Sequence, residues 1–262
     1  MPCCTMAIEL ATPISQLFDD PEIAARIASA SDCLECRERS LGSALPRQYL
    51  FHSEANIIHP WDEPRKRQLT RAFGLKRELR LVSFHAACNC DQASVESGMF
   101  RPGGRRLARE EMLQAAADNT AWLREALPPG VLIAVENNNY FPTEAYETVT
   151  DGDFLTELTE RTGCGLLLDL AHAMITAHNT GRRLEEYTAT LPLARTVQIH
   201  VCEPGLRPGT VATDAHHCPG QDMDGQVVAF ARALPVKYVT VEYYRDAELL
   251  IDSLLRYKGL LS

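Results

Sequence analysis

The sequence predicts an α/β fold, a closed (β/α)8 TIM barrel, from three observations. Short apolar segments that are typical of buried strands alternate with longer amphipathic segments that are typical of helices. Eight such strand segments occur, which favours a closed barrel over an open sheet. No shift in composition divides the 262 residues, so residues 1–262 are predicted to form a single domain.

The clearest strand is Gly165–Asp169, a run of Gly and Leu that ends on a carboxylate. An uninterrupted apolar run is typical of a strand buried on both faces in a parallel sheet. The other predicted strands are residues 6–11, 32–37, 49–52, 79–85, 131–136, 196–201 and 237–242. The predicted helices are residues 21–29, 63–75, 107–127, 153–162, 184–190, 225–233 and 247–257.

Three long connections follow predicted strands, at residues 88–106, 138–152 and 203–225. Loops of this length in a compact barrel are usually functional. Loops that follow barrel strands open onto the face where barrel enzymes hold their active sites. The sequence therefore predicts a functional site at the carboxyl ends of the strands.

The composition excludes some classes of function. The net charge of −9 argues against a nucleic-acid partner, although four arginines between residues 101 and 109 could form a local basic patch. No signal peptide opens the chain, and no apolar run approaches the roughly 20 residues of a membrane span. The nine scattered cysteines then indicate reduced thiols, so we expect a cytoplasmic protein with no membrane association.

Histidines and carboxylates recur at the ends of the predicted strands and in the loops that follow them. Any one of them could be an ordinary buried side chain, but together they would repel one another strongly without cations. Imidazole and carboxylate donors without thiolate favour Fe, Mn or Zn. The predicted metal ligands are His52, His85, Glu136, Asp169, His172, His200, Asp214, His216 and Glu242.

Other motifs are weaker. Cys33 and Cys36 form a C-x-x-C pair without a second pair, so a redox or zinc role is not favoured. Cys88 and Cys90 follow His85 and are either further ligands or simple loop thiols. Three histidines are predicted to lie outside the site: His59, His178 and His217.

Five segments resemble the motifs of one known family. They are residues 131–137 (VLIAVEN), 168–179 (LDLAHAMITAHN), 198–201 (QIHV), 213–219 (TDAHHCP) and 239–242 (VTVE). In this order they resemble the multinuclear non-haem iron-dependent oxidative enzymes, the methanobactin biosynthetic oxidase-like family.

This resemblance implies a TIM barrel that holds two or three iron ions and uses molecular oxygen. It implies a substrate that is a cysteine, or another side chain, of a ribosomally synthesised peptide, which a small partner protein often presents. All predicted ligands except His172 correspond to the ligands of the family. Where the family commonly has Asn, this chain has His172, and the resulting D-x-x-H segment resembles sugar isomerases and endonucleases of the same xylose isomerase-like superfamily.

Three alternatives remain open at this stage. A divalent-metal sugar isomerase or epimerase would need the same barrel with fewer ions, as Mn or Zn. A zinc endonuclease acting on abasic DNA is disfavoured by the net charge of −9. A non-catalytic peptide-binding or metal-storage protein is disfavoured by the number of ligands. The sequence does not identify a catalytic acid or base.

Overall fold

Strands and helices alternate along residues 7–262, the part of the chain that the computed structural model describes. The strands are β1 (Glu9–Pro13), β2 (Cys33–Cys36), β3 (Gln48–Asn56), β4 (Leu81–His85), β5 (Ser94–Glu96), β6 (Met99–Arg101), β7 (Leu132–Glu136), β8 (Gly165–Asp169), β9 (Thr196–Val201), β10 (Glu203–Gly205), β11 (Thr213–His217) and β12 (Tyr238–Val241). The helices are α1 (Pro21–Ala30), α2 (Glu63–Leu75), α3 (Arg109–Ala126), α4 (Gly152–Thr162), α5 (Leu170–Thr180), α6 (Leu184–Thr188), α7 (Gln221–Ala233) and α8 (Ala247–Leu261).

Eight parallel strands close into a barrel in the order β1-β12-β9-β8-β7-β4-β3-β2. This arrangement confirms the predicted (β/α)8 barrel. The remaining strands form two antiparallel hairpins, β5 with β6 and β10 with β11. Both hairpins lie within predicted long loops, and each follows a barrel strand, so they extend the carboxyl end of the barrel.

Several predicted elements have different bounds in the structure. The first strand, predicted at 6–11, runs over Glu9–Pro13, and Met6 lies outside the described residues. The third strand, predicted at 49–52, extends over Gln48–Asn56. Helix α5 was absent from the predicted helices because it starts directly after β8 without a connecting loop.

The start and end of α5 have local causes. The Asp169 carboxylate accepts a hydrogen bond from the backbone N–H of His172 at 2.7 Å and so caps the first turn. The helix ends at Gly181, whose φ of 67° is in the left-handed region that glycine adopts without strain. Asp169 therefore closes a strand and begins a helix at the same point.

Apolar side chains fill the space between the barrel and its helices. The three leucines of β8 are fully buried, as the apolar run predicts. Gly165 is required at the start of this strand, because a Cβ there would lie 2.7 Å from a methyl carbon of Val197. Helix α3 buries the side chains of Met112, Ala116 and Leu123. In residues 7–262, no helix combines the length and the apolar character that crossing a membrane requires.

Candidate metal centre

The carboxyl ends of the barrel strands bring the predicted ligands together. His85 pairs in register with Glu136, and Asp169 pairs with His200. His52 lies on the neighbouring strand β3. Contacts of no more than 3.9 Å between side-chain nitrogen and oxygen atoms join all nine predicted ligands into one cluster.

The first group of donors comprises His52, His85 and Glu136. One carboxylate oxygen of Glu136 lies 2.6 Å from His85 Nδ1 and 3.5 Å from His52 Nε2. The other ring nitrogen of His52 lies 2.9 Å from the Ser83 hydroxyl, which fixes the orientation of the ring. Burial, followed by the charge of Arg37, lowers the pKa of His52 well below its usual value. This imidazole is therefore neutral, as a metal ligand must be.

The second group comprises Glu136, Asp169 and His172. His172 Nδ1 lies 3.8 Å from Glu136 Oε1 and 3.9 Å from Asp169 Oδ2. The same nitrogen lies 2.9 Å from the backbone carbonyl of Asn137, the residue after Glu136. Burial, together with Glu136 and Glu242, raises the pKa of Asp169 to about 6. Glu136 belongs to both groups, so it can bridge two ions.

The third group includes a residue that the sequence analysis missed. Glu35 of β2 is fully buried, and its carboxylate lies 3.0 Å from His200 Nε2. On the other side of the ring, His200 Nδ1 lies 3.4 Å from Glu242 Oε1. Arg37 contacts both carboxylates, at 2.7 Å in the case of Glu35. Although burial opposes it, the charges of His200 and Arg37 hold the pKa of Glu35 below its usual value.

The fourth group comprises Cys202, which lies between β9 and β10, and Asp214 and His216 of β11. Asp214 and His216 are two residues apart, so an extended backbone would direct both side chains to one side. The side chains do meet, with His216 Nε2 3.1 Å from Asp214 Oδ2, but the backbone is not extended at His216, whose φ is 42°. Burial lowers the pKa of His216, but the carboxylates of Asp214 and Glu242 outweigh the effect of burial and raise this pKa to about 9. The prediction of a site without thiolate is also incomplete, because Cys202 lies among these donors.

Unpaired donor atoms face into this cluster. Buried polar atoms in proteins are almost always hydrogen-bonded, so several unpaired ones around one centre indicate a ligand. Each group keeps its donor atoms within 4.8 Å of one another, a spacing at which they can share one cation. Within residues 7–262, the buried atoms of this cluster without a hydrogen-bond partner include Asp169 Oδ2, His200 Nδ1, Asp214 Oδ1 and His216 Nδ1. The donor set therefore fits divalent metal ions.

A pocket of about 550 Å³ opens onto the cluster. Three predicted ligands, His85, His172 and Asp214, form part of its lining. Its walls are mostly apolar and aromatic, with two asparagines, and come from the β5–β6 hairpin and the loops after β7 and β10: Met99, Phe100, Asn138, Asn139, Phe141, Tyr146 and Val211. A concave apolar pocket with a few polar groups is typical of a substrate site.

Within residues 7–262, the remaining cysteines and histidines lie outside the four groups. Cys88 and Cys90 are buried in an apolar cluster with Phe141 and Tyr146, which favours loop thiols over further ligands. Cys33 and Cys36 are buried thiols on β2, and neither forms a disulfide with another cysteine of residues 7–262. The other three histidines contact loop or surface groups, Cys88 O for His59, Thr210 O for His178 and Arg245 for His217.

Two of the missed residues had a recognisable signal in the sequence. Glu35 and Arg37 are two apart in a predicted strand, so their side chains share one face, and an acid and a base on a buried face favour an ion pair. Cys202 follows the strand that carries His200, but a single cysteine after a strand does not distinguish a ligand from a core residue.

Solved structures of known enzymes resemble the fold. D-psicose 3-epimerase from Clostridium cellulolyticum H10, solved with D-tagatose, gives a TM-score of 0.59 at 10% identity and covers 97% of this chain and 98% of its own. An L-ribulose 3-epimerase gives a TM-score of 0.58 at 13% identity, and the match covers 97% of this chain and 94% of the epimerase. At this identity the likeness shows the fold alone, a TIM barrel like that of these epimerases.

Sequence comparisons identify closer relatives. The UPF0276 protein of Caulobacter sp. (strain K31) is 36% identical over 110 residues, which cover 41% of this chain and 39% of that protein. UPF0276 protein VV3194 of Vibrio vulnificus (strain YJ016) is 32% identical over 113 residues, 42% and 38% of the two chains. Each match thus spans about two fifths of the relative's length. The sequence model described as RiPP precursor modification enzyme MbnB/TglH/ChrH matches residues 62–240, more than half of the chain, and the protein therefore belongs to this enzyme family.

Proposed function

We propose that this protein is a multinuclear non-haem iron enzyme that uses molecular oxygen to modify a cysteine of a ribosomally synthesised peptide. Membership of a family of RiPP precursor modification enzymes supports the class of substrate. The single observation that carries the metal chemistry is the set of four overlapping donor groups at one end of the barrel. The family resemblance also allows a side chain other than cysteine to be the one that is modified.

The number of ions follows from how the groups share residues. Glu136 contributes to two groups, and Glu242 lies 3.4 Å from His200 and 3.7 Å from His216, between the other two. Shared carboxylates hold neighbouring ions a few ångströms apart. We therefore propose two or three ions, with His52, His85, Glu136, Asp169, His172, His200, Asp214, His216 and Glu242 as ligands, together with Glu35. The predominance of imidazole and carboxylate donors supports iron, with manganese or zinc as alternatives.

The protein's own residues would bind and orient the peptide. Bound iron would supply the oxygen-dependent redox chemistry and an open position for a sulfur ligand. Phe141 and Tyr146 would pack against the side chains that flank the modified residue and would exclude water from the site. The Asn139 side chain would offer hydrogen bonds from the pocket wall to the peptide backbone, whereas the Asn138 amide already donates to Ala87 O and accepts from Asn139 N. The volume of about 550 Å³ suits a few side chains of an extended segment.

A small partner protein that presents the peptide is the second part of the proposal. The pocket opens between the β5–β6 hairpin and the loop that leads into β11, and both contribute exposed apolar side chains. Val95 and Val211 have exposed fractions of 63% and 46%. These side chains would contact the presented peptide or the presenting protein. A copurification of the chain with peptide and candidate partner would test this part separately.

Metal analysis of protein purified without air tests the central claim. We expect two or three iron ions per chain in the wild type and a loss of at least one in Glu136→Gln, because the amide is a poorer ligand in both groups that use it. Glu248→Gln is the matched control, since Glu248 pairs with Arg26 on the surface and should not change the metal content. Equal metal content in all three proteins would contradict the assignment.

Oxygen uptake tests the reaction. The iron-loaded protein should consume oxygen when a cysteine-containing precursor peptide from the same gene neighbourhood is added, and mass spectrometry should show the modified cysteine. A serine variant of that peptide should give no product. Failure of an iron-loaded protein to consume oxygen with its precursor peptide would exclude an oxidase.

The sugar isomerase or epimerase alternative makes a different prediction. It requires one manganese or zinc ion per chain and a pair of carboxylates for proton transfer. The likeness to epimerases supports the barrel but not this reaction, because the identity is 10–13%. One ion per chain, with turnover of a ketose and no oxygen consumption, would favour this alternative.

A further inference from the structure

A buried thiol lies beside the outermost donors of the candidate metal centre. Cys202 directly follows β9 and is fully buried. Its sulfur, a carboxylate oxygen of Asp214 and a ring nitrogen of His216 all lie within 4.8 Å of one another. Three donors at such spacing can converge on one ion at ordinary metal–ligand distances.

We propose that Cys202 is a thiolate ligand of the outermost metal ion, together with Asp214 and His216. This inference rests on the proposed metal centre but not on the proposed oxidation of a peptide. It makes the outermost ion different from the inner ones, since those have nitrogen and oxygen donors alone. A soft sulfur donor favours iron or zinc over manganese at this position.

The neighbouring donors are incompletely paired. Asp214 Oδ2 contacts both His172 and His216, but its other oxygen, Oδ1, is buried without a hydrogen-bond partner. His216 Nδ1 is also unpaired, and the nearest carboxylate oxygen, of Glu242, lies 3.7 Å away. In addition, Asp169 is 1% exposed, and its Oδ2 is unpaired. A cation between the sulfur, Asp214 and His216 would satisfy the unpaired atoms of the last two, whereas Asp169 Oδ2 belongs to the neighbouring group with Glu136 and His172.

The surroundings of Cys202 distinguish a metal ligand from a free reactive thiol. Cys202 is fully buried, and the donors beside its sulfur include the carboxylate of Asp214. A reactive cysteine needs the opposite, a nearby positive charge and some exposure to solvent. A bound cation would supply the positive charge, and the thiol proton would leave to solvent as the metal–sulfur bond forms.

Cobalt(II) titration of the metal-free protein without air tests the proposal. The wild type should develop the strong near-ultraviolet absorption of thiolate-to-cobalt charge transfer. Cys202→Ser should lose this band and keep the weaker visible bands of cobalt bound by nitrogen and oxygen. Cys164→Ser is the control, because Cys164 is an equally buried thiol that precedes β8 at the other end of the barrel and contacts Thr120.

The outcomes of the cobalt titration distinguish a wrong assignment of Cys202 from a wrong metal centre. A charge-transfer band that persists in Cys202→Ser, or a wild type that binds cobalt without the band, would overturn the assignment of Cys202. A wild type that binds no cobalt at all would overturn the metal centre itself, and with it the proposed function.

X-ray absorption of the wild-type protein loaded with zinc gives a measurement that needs no variant. We expect a sulfur scatterer at roughly 2.3 Å from zinc. A shell of nitrogen and oxygen alone would overturn the inference even if Cys202→Ser failed to fold.

Discussion

Replacing Asp169 by Asn should stabilise the metal-free protein and weaken metal binding at the same time. Burial and the carboxylates of Glu136 and Glu242 raise the pKa of Asp169 from 3.8 to about 6. The charged form is therefore disfavoured in the folded protein when no cation compensates it. Asparagine carries no charge and keeps a carbonyl oxygen that can accept the capping hydrogen bond from the backbone N–H of His172.

The size and sign of the change in the free energy of unfolding follow from the pKa shift of Asp169. A rise of the Asp169 pKa from 3.8 to about 6 corresponds to a destabilisation of up to about 3 kcal/mol. Because the folded state keeps this proton to higher pH than the unfolded chain, the free energy of unfolding falls as pH rises from about 4 to about 6. The full penalty is present above that window. Asparagine does not titrate in this range. The free energy of unfolding of Asp169→Asn should therefore exceed that of the wild type most at pH 8 and by almost nothing near pH 4.

Thermal unfolding at several pH values, with and without metal, measures both effects. In chelator at pH 8 the variant should have the higher Tm, since about 1 kcal/mol shifts Tm by roughly 2–4 °C in a domain of this size. Saturating Mn(II) should reverse the order, because a thousandfold excess over Kd stabilises the wild type by about 4 kcal/mol. Asp252→Asn, on the exposed face of α8, is the control and should change neither value.

Two results would refute this reasoning. A metal-free Asp169→Asn protein that is less stable than the wild type at pH 8 would show that the carboxylate is compensated within the protein. An advantage that stays constant between pH 8 and pH 4 would show that the gain has another origin than the charge of Asp169.

Three further perturbations test other parts of the structure. Arg37→Ala leaves two buried carboxylates without their cation and should lower the free energy of unfolding in chelator by about 3–5 kcal/mol, measured with urea. Gly152→Ala should lower Tm through a cost of about 1–3 kcal/mol, because its Cβ would overlap the backbone carbonyl of Thr190. Tyr146→Phe removes the hydroxyl that accepts a hydrogen bond from Phe100 N at 2.9 Å, worth about 1 kcal/mol, so amide exchange in β6 should become about fivefold faster.

Matched variants separate these effects from general damage. Arg26→Ala breaks a surface pair with Glu248 and should change stability by less than about 1 kcal/mol. Gly74→Ala places a methyl group in open space on α2 and should leave stability unchanged or raise it slightly. Wild-type stability of Arg37→Ala would contradict the ion pairs with Glu35 and Glu242, and wild-type stability of Gly152→Ala would contradict the close approach to Thr190. Unchanged amide exchange in Tyr146→Phe would contradict the hydrogen bond from Phe100 N.

The barrel and most of the cluster are predictable because one feature of the sequence encodes both. A run such as Gly165–Asp169 is apolar enough to require burial on both faces, and its last residue is a carboxylate. Parallel strands in a closed barrel end at the same side. Ligands at the ends of successive strands must then converge, whatever the details of the loops.

The hairpins are not predictable in the same way. β5 and β6 have three residues each, and all three side chains of β5 are exposed, so no alternation of apolar and polar residues marks them. The one local signal is the turn at Ser97 and Gly98, whose φ values of 52° and 77° suit a two-residue hairpin. The position of Cys202 beside the donors of β11 depends on the second hairpin and was missed for the same reason.

The protein itself supplies part of the positive charge that balances the carboxylates of the cluster, which the sequence pattern did not reveal. Crowded carboxylates indeed need cations, but the protein supplies part of the positive charge through Arg37. Against the effect of burial, the carboxylates around His172 and His200 raise the pKa of both rings well above the usual value, so these rings are protonated in the metal-free protein. A metal ion needs the neutral rings, and its binding therefore exchanges protons for cations of higher charge. The cluster can thus persist without metal and still favour metal binding as pH rises.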